Sequence, residues 1–174
     1  MKKFTILFVL LLAGFVGFAQ DKESATPDKS FYAELGGPGI LFSANFDTRF
    51  KKTPFGLGGR IGLGFVTAED FYIDGDYDYR RNTALTVPVQ LNYLFGKTNS
   101  VHAFEVGFGF TYVSKQLDIF NFYNEKGTNL FGTASFMYRR VPLDGGFSWR
   151  IGFTPLVGNG NVQASGGASI GYNF

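Results

Sequence analysis

From Phe31 onward the chain alternates between bulky apolar and small or polar residues with a period of two. No stretch of useful length carries the spacing of an amphipathic helix. Between Val101 and Val113, one parity holds His102, Phe104, Val106, Phe108, Phe110 and Tyr112. The other holds Ala103, Glu105, Gly107, Gly109 and Thr111. Thr83 to Phe95, Phe147 to Pro155, Val162 to Phe174 and Phe55 to Phe65 divide the same way. Successive side chains of a strand point to opposite faces, so each run predicts a strand with one apolar face. Strands are expected over 30–36, 40–50, 55–66, 83–95, 101–114, 128–140, 146–156 and 162–174. Gly37-Pro38-Gly39 either separates the first two or is a bulge in one long strand, which leaves seven. Bacterial single-chain membrane barrels have an even strand number, with short turns at one end and longer loops at the other, which favours eight. Connections 51–54, 96–100 and 141–145 are then the short periplasmic turns, and 37–39, 67–82, 115–127 and 157–161 the outer ones.

Alternation alone fits a soluble sandwich as well. The two faces decide between them. A soluble sheet turns its large apolar side chains inward and its charges outward. Here one face repeats Phe, Trp, Ile and Leu, while the other carries Gly, Ser, Thr, Asn and Arg with few Lys or Glu. An eight-stranded barrel has an interior just wide enough for side chains to fill, which suits the small and polar face. The expected fold is therefore all-β, a transmembrane antiparallel up-and-down β-barrel of about eight strands spanning 31–174. Phe50, Phe55, Tyr93, Phe95, Phe104, Tyr138, Phe147, Trp149, Tyr172 and Phe174 cluster near the periplasmic strand ends. They read as an interfacial aromatic girdle, with Phe55 the one whose facing its turn leaves open.

Composition adds to this. Charged residues make up 17% of the chain and aromatics 18%, with 24 glycines; a soluble domain carries about 25% charged residues. No cysteine is present, which rules out a disulfide framework and a thiol nucleophile. Lys2 and Lys3 followed by the apolar run Phe4 to Phe18 and by Gly17-Phe18-Ala19 read as a signal peptide over 1–19, cleaved after Ala19. The polar residues 20–30 read as a flexible lead-in. Removing Lys2 and Lys3 from the 16 basic residues leaves 14 against 14 acidic ones. A near-neutral chain gives no reason to expect a nucleic-acid partner.

The last strand, Ala168-Ser169-Ile170-Gly171-Tyr172-Asn173-Phe174, alternates and ends on phenylalanine. With it the chain resembles small outer-membrane β-barrel proteins of Gram-negative bacteria, of the OmpA/OmpX size class. Glu34-Leu35-Gly36-Gly37, Arg60-Ile61-Gly62-Leu63-Gly64 and Arg150-Ile151-Gly152-Phe153-Thr154-Pro155 resemble segments of many such barrels and indicate architecture, not activity. The resemblance implies an outer-membrane location among membrane lipids and lipopolysaccharide. It also implies that Ile170, Tyr172 and Phe174 form the signal read by the outer-membrane assembly machinery. No separate peptidoglycan-binding domain is expected after the barrel.

Chemistry is sparse. The inward parity brings Glu34, Asp47 and Glu105 together with Arg49, Arg60, Arg139 and Arg150. Desolvation costs several kcal/mol per ion, so a narrow lumen must pair them. A charge network is expected, shared with Asn45, Gln90, Asn92, Thr133 and Ser135 and filling the lumen; a narrow ion path is the alternative. Some barrels of this size class deacylate or acylate lipid A with Ser and His near the outer leaflet. The single histidine, His102, lies at the opposite end with no serine and carboxylate placed as a triad, so it reads as an interfacial residue. No catalytic residue, metal ligand or cofactor is assigned. Asp74-Gly75-Asp76-Tyr77-Asp78 fails as an EF-hand, since its sixth and twelfth positions are Tyr79 and Leu85. It reads as a solvated acidic loop. Phe71, Tyr72, Tyr77 and Tyr79 there, and the aromatic run within 115–127, suggest contact surfaces. Gly56-Leu57-Gly58 and Gly107-Phe108-Gly109 lie inside strands with no helix following, so they are not phosphate loops. The expected role is structural or surface-interacting, with a lipid A-modifying enzyme, a narrow pore and a soluble binder of apolar ligands as alternatives.

Overall fold

A computed structural model of the chain describes residues 26–71, 79–115, 129–158 and 160–174. The expected signal peptide 1–19, the acidic run Asp74 to Asp78 and most of 115–127 lie outside the described residues. The strands are β1 (Lys29–Gly36), β2 (Phe42–Arg49), β3 (Gly56–Phe71), β4 (Tyr79–Gly96), β5 (His102–Val113), β6 (Leu130–Arg140), β7 (Gly146–Phe153), β8 (Leu156–Gly158), β9 (Asn161–Gln163) and β10 (Gly166–Asn173). Neighbours pair antiparallel from β1 round to β7, β7 pairs with β10, and β10 pairs with β1. The sheet therefore closes on itself. β8 prolongs β7 along β6, and β9 prolongs β10 along β8, so the wall is a closed up-and-down barrel of eight strand paths. β1 and β2 are separate strands, paired from Lys29↔Thr48 to Leu35↔Phe42.

Two boundaries differ from the sequence expectation. The seventh and eighth paths, expected unbroken over 146–156 and 162–174, are interrupted beside Pro155. Proline has no N–H to give the ladder. Its carbonyl still accepts from the Ala134 N–H at 3.1 Å, and Thr154 N–H donates to the Ser165 carbonyl at 2.7 Å, so the register carries across the break. The second difference is at 67–82, expected as a loop. β3 and β4 instead stay paired out to Phe71↔Tyr79, and the register sets Glu69 opposite Arg81 and Asp70 opposite Arg80. The ladders to β2 and β5 end at Phe65 and Thr86, so this hairpin arm stands beyond the wall.

The apolar parity faces outward. Phe108, Ile151 and Ile170 are 66%, 56% and 60% exposed, whereas Glu105, Arg150 and Ser169 are 0%, 3% and 5% exposed. Room inside comes from inward glycines set against larger neighbours. A Cβ at Gly107 would strike the Ser135 hydroxyl, and one at Gly109 the Val89 carbonyl. The interior is not uniformly small and polar, however. Ile40, Val66, Ala84, Val113, Phe131 and Leu156 form one buried apolar cluster, at the end away from the termini. Leu94, Ala103 and Val141 form a second at the termini end, with Phe55 turned in against them instead of joining the girdle. Charge is confined between these two apolar layers, because ends that meet the loops can bury hydrocarbon where no ion partner is within reach.

Candidate functional site

The seven charged residues expected inside all face the interior and are buried. Parity alone puts them there: Glu34 on β1, Asp47 and Arg49 on β2, Arg60 on β3, Glu105 on β5, Arg139 on β6 and Arg150 on β7. Asp47 is the most heavily partnered carboxylate. It pairs with Arg49, with Arg139 at 2.9 Å and with Arg150 at 3.8 Å, and accepts from Asn92 Nδ2 at 3.2 Å. Glu105 takes Arg150 at 3.2 Å, Arg139 at 3.4 Å and Arg60 at 3.7 Å. Glu34 stands apart. Arg60 and Arg150 lie 3.6 and 3.8 Å from it, yet neither of its oxygens makes a hydrogen bond.

Three carboxylates thus face four guanidiniums, an excess of one positive charge among these buried groups. Neutral groups take up the excess. Arg49 donates to Asn92 Oδ1 at 2.5 Å and to the Gly56 carbonyl at 3.0 Å. Arg139 reaches Ser30 Oγ at 2.9 Å and Arg150 reaches Ser169 Oγ at 2.8 Å. Arg60 donates to Gln90 Oε1 and, at 3.2 Å, to Tyr32 Oη. The Arg150 guanidinium also lies 3.4 Å from the centre of the Tyr32 ring, whose face attracts a cation. Gln90 passes the network on to Thr133 at 2.6 Å and to Ser135 at 3.2 Å. Asn45 bonds Ser43 at 2.8 Å and no charged group. Sequence reasoning did not single out Tyr32, Ser30 or Ser169 for the network, although each shares the inward parity of its strand.

A second feature was not legible as such. The β1–β2 connection, expected as an outer loop, folds into the far mouth of the barrel, where Gly37, Pro38, Gly39 and Ile40 are all buried. Thr111 Oγ1 donates to the Pro38 carbonyl at 2.5 Å and Thr86 Oγ1 to the Gly39 carbonyl at 3.1 Å. Leu41 N–H closes on the Gly39 carbonyl at 3.1 Å around Ile40, whose φ of 76° and ψ of −68° describe a left-handed γ-turn. A β-branched residue there is strained by about 1–3 kcal/mol. Ile40 tolerates it because its side chain seats in the apolar cluster of Val66, Val113, Phe131 and Leu156. Gly37, at φ 66°, lies against the Glu34 carboxylate, and a Cβ there would stand 2.7 Å from its Cδ. Gly37→Ala is therefore expected to destabilise the barrel by about 1–3 kcal/mol, read as a lower urea midpoint. An unchanged midpoint would mean that the turn does not hold this conformation.

His102 is exposed at the termini end, with its ring Nδ1 in hydrogen-bond contact with Tyr138 Oη. Tyr138 in turn packs on Trp149 with ring centres 5.2 Å apart. This is an aromatic surface patch; the Ser100 hydroxyl meets the His102 backbone N–H at 3.2 Å, not the ring. Among the described residues no group of three or more His, Cys, Asp or Glu is placed to hold a metal ion.

No protein-family model matches the chain. No curated protein matches it either. A solved structure does: the N-terminal β-barrel domain of Pseudomonas aeruginosa OprF superimposes with a TM-score of 0.52, covering 84% of this chain and 96% of that one at 13% identity. At that identity the likeness is one of fold, and the chain is a closed β-barrel similar in architecture to that OprF domain.

Proposed function

We propose that the protein is an integral outer-membrane barrel with a filled lumen, acting as a structural or surface-interacting element. One observation carries this reading. Among the described residues, no outward position of the wall between Phe31 and Tyr172 carries Asp, Glu, Lys or Arg, apart from Arg140 at its strand end, while seven charges lie inside. That inverts the order of a soluble protein, whose exposed apolar patches rarely exceed a few hundred Å². In hydrocarbon the same order is the favourable one, and a closed barrel satisfies the backbone without an edge. Among the described residues no helix is long and apolar enough to span a membrane, so strands would do the crossing.

Exposed Phe50, Tyr93, Phe95, Phe104, Phe147, Tyr172 and Phe174 at the termini end support an interfacial girdle there, on the periplasmic side. Ile170, Tyr172 and Phe174 are outward on the closing strand, and Phe174 is tied to Lys29 by backbone bonds of 2.9 and 3.1 Å. This fits the role of an assembly signal for the outer-membrane insertion machinery. The β3–β4 arm at the far end is the candidate surface element. The turn at 37–40, the apolar layers and the charge network together support a plugged lumen.

The test has two readouts. The refolded barrel should stay monodisperse only in detergent or lipid, and in planar bilayers it should show no steady large conductance. A chain that remains monomeric in plain buffer would overturn the membrane reading. A large stable conductance would overturn the plug.

A further inference from the structure

Outside the wall, Gly59 leaves a gap in the apolar cover, and a shallow groove runs through it between Phe46, Ile61, Val89, Phe108 and Phe110. The register explains its shape. Thr48, Gly59, Leu91 and Phe108 form one cross-strand row, and Phe46, Ile61, Val89 and Phe110 the next. Short side chains at Thr48 and Gly59 keep the first row low on the side of β2 and β3, while phenylalanines rim it. The Phe50 ring stands 3.4 Å from where a Cβ of Gly59 would lie and closes one flank.

Directly beyond Thr48 the chain reaches Lys51 and Lys52 in the β2–β3 turn, and Lys97 lies in the β4–β5 turn. The two turns touch, since the Phe55 ring packs against Gly96. All three lysines are exposed, and their side chains make no ion pair or hydrogen bond among the described residues. Neither turn, 50–55 or 96–101, contains an acidic residue. At about 3.3 Å per residue Lys51, three residues past Thr48, begins roughly 10 Å beyond the Gly59 row, and Lys97, six past Leu91, roughly 20 Å beyond it. Those separations suit a phosphate at headgroup level above the first methylenes of an acyl chain.

We infer that this groove and its three lysines bind one anionic phospholipid of the leaflet on the termini side, its acyl chain along the Gly59 row and its phosphate on Lys51, Lys52 and Lys97. The inference rests on the membrane reading above. Charge selects the occupant. A zwitterionic headgroup brings its own cation to the lysines and cancels the attraction, whereas phosphatidylglycerol presents an uncompensated negative charge.

The barrel is extracted into micelles containing equal phosphatidylglycerol and phosphatidylcholine, and retained lipid is read by native mass spectrometry. A lysine beside an anionic headgroup is worth roughly fivefold in affinity, so a single phosphatidylglycerol should be retained at least about tenfold over phosphatidylcholine. The triple variant Lys51→Gln, Lys52→Gln, Lys97→Gln should lose that preference while keeping its folded electrophoretic mobility. Gly59→Leu, which fills the groove at a position with ordinary backbone geometry, should lower retention of both lipids. Equal retention by the native barrel, or an unchanged preference in the triple variant, would overturn the site. A chain soluble without detergent would overturn the membrane reading itself, and the two failures are separable by whether the protein inserts into vesicles.

Discussion

Glu105→Ala is expected to destabilise the folded barrel by about 3–5 kcal/mol, the cost of breaking a buried ion pair by removing one partner. Glu105 touches Arg60, Arg139 and Arg150. Without it, two carboxylates face four guanidiniums between two apolar layers, and in a plugged lumen little water would screen them. The urea midpoint of the barrel in lipid vesicles measures the loss. A control separates lost packing from uncompensated charge. Glu105→Leu combined with Arg150→Met removes one charge of each sign and restores the original excess of a single positive charge. It should recover much of the lost stability, because a buried pair is often replaceable by apolar residues of similar volume. A midpoint shift in Glu105→Ala below about 1 kcal/mol, the scale of an exposed pair, would mean that the layer is wet and the lumen open.

Phe108→Arg is expected to cost about 2–4 kcal/mol in a bilayer, the penalty for a cation on the lipid face near the midplane. Phe108 is the central test because it is 66% exposed in the middle of β5, and among the described residues its row of Thr48, Gly59 and Leu91 carries no charge. In water the same change removes an exposed aromatic and adds a solvated charge, which is close to neutral, within about 0.5 kcal/mol. Thr53→Arg, in the termini-end turn, should likewise change stability by no more than about 0.5 kcal/mol. Thr53→Arg also gives up the exposed bond that Thr53 Oγ1 donates to the Phe55 carbonyl at 2.6 Å, so depth is the main difference and not the sole one. If Phe108→Arg and Thr53→Arg unfold at the same urea concentration as the native barrel in vesicles, the wall does not face hydrocarbon.

Most of the barrel was readable from the chain because strand facing is local. A residue's side is fixed by its parity within the strand, so Phe108 outward and Glu105 inward follow from counting. The charged set followed the same way, since Arg60, Glu105, Arg139 and Arg150 interrupt otherwise small or polar parities. Where the reading failed, the cause was non-local. Phe131, Met137, Leu94 and Leu156 share the inward parity too, but an expectation of small interior residues left no place for them. Layers of hydrophobic closure at both ends appear only once the strands are staggered against one another. Alternation carries the strand pattern through Pro155, but its missing N–H breaks the path there. The 67–82 segment looked like a loop because turn residues outweighed the ladder that β3 and β4 form between them.

The sequence by itself determined the all-β class, the apolar exterior and the identity of the interior charges, because alternation and charge are properties of the chain read residue by residue. Only the closed tertiary structure decided which carboxylate meets which guanidinium, that Glu34 makes no hydrogen bond, and that Gly37 to Ile40 fold into the mouth. Those outcomes depend on shear and closure, which bring β1 beside β10 and set side chains more than a hundred residues apart within hydrogen-bond reach, as in Arg139 to Ser30. No local pattern encodes such distances.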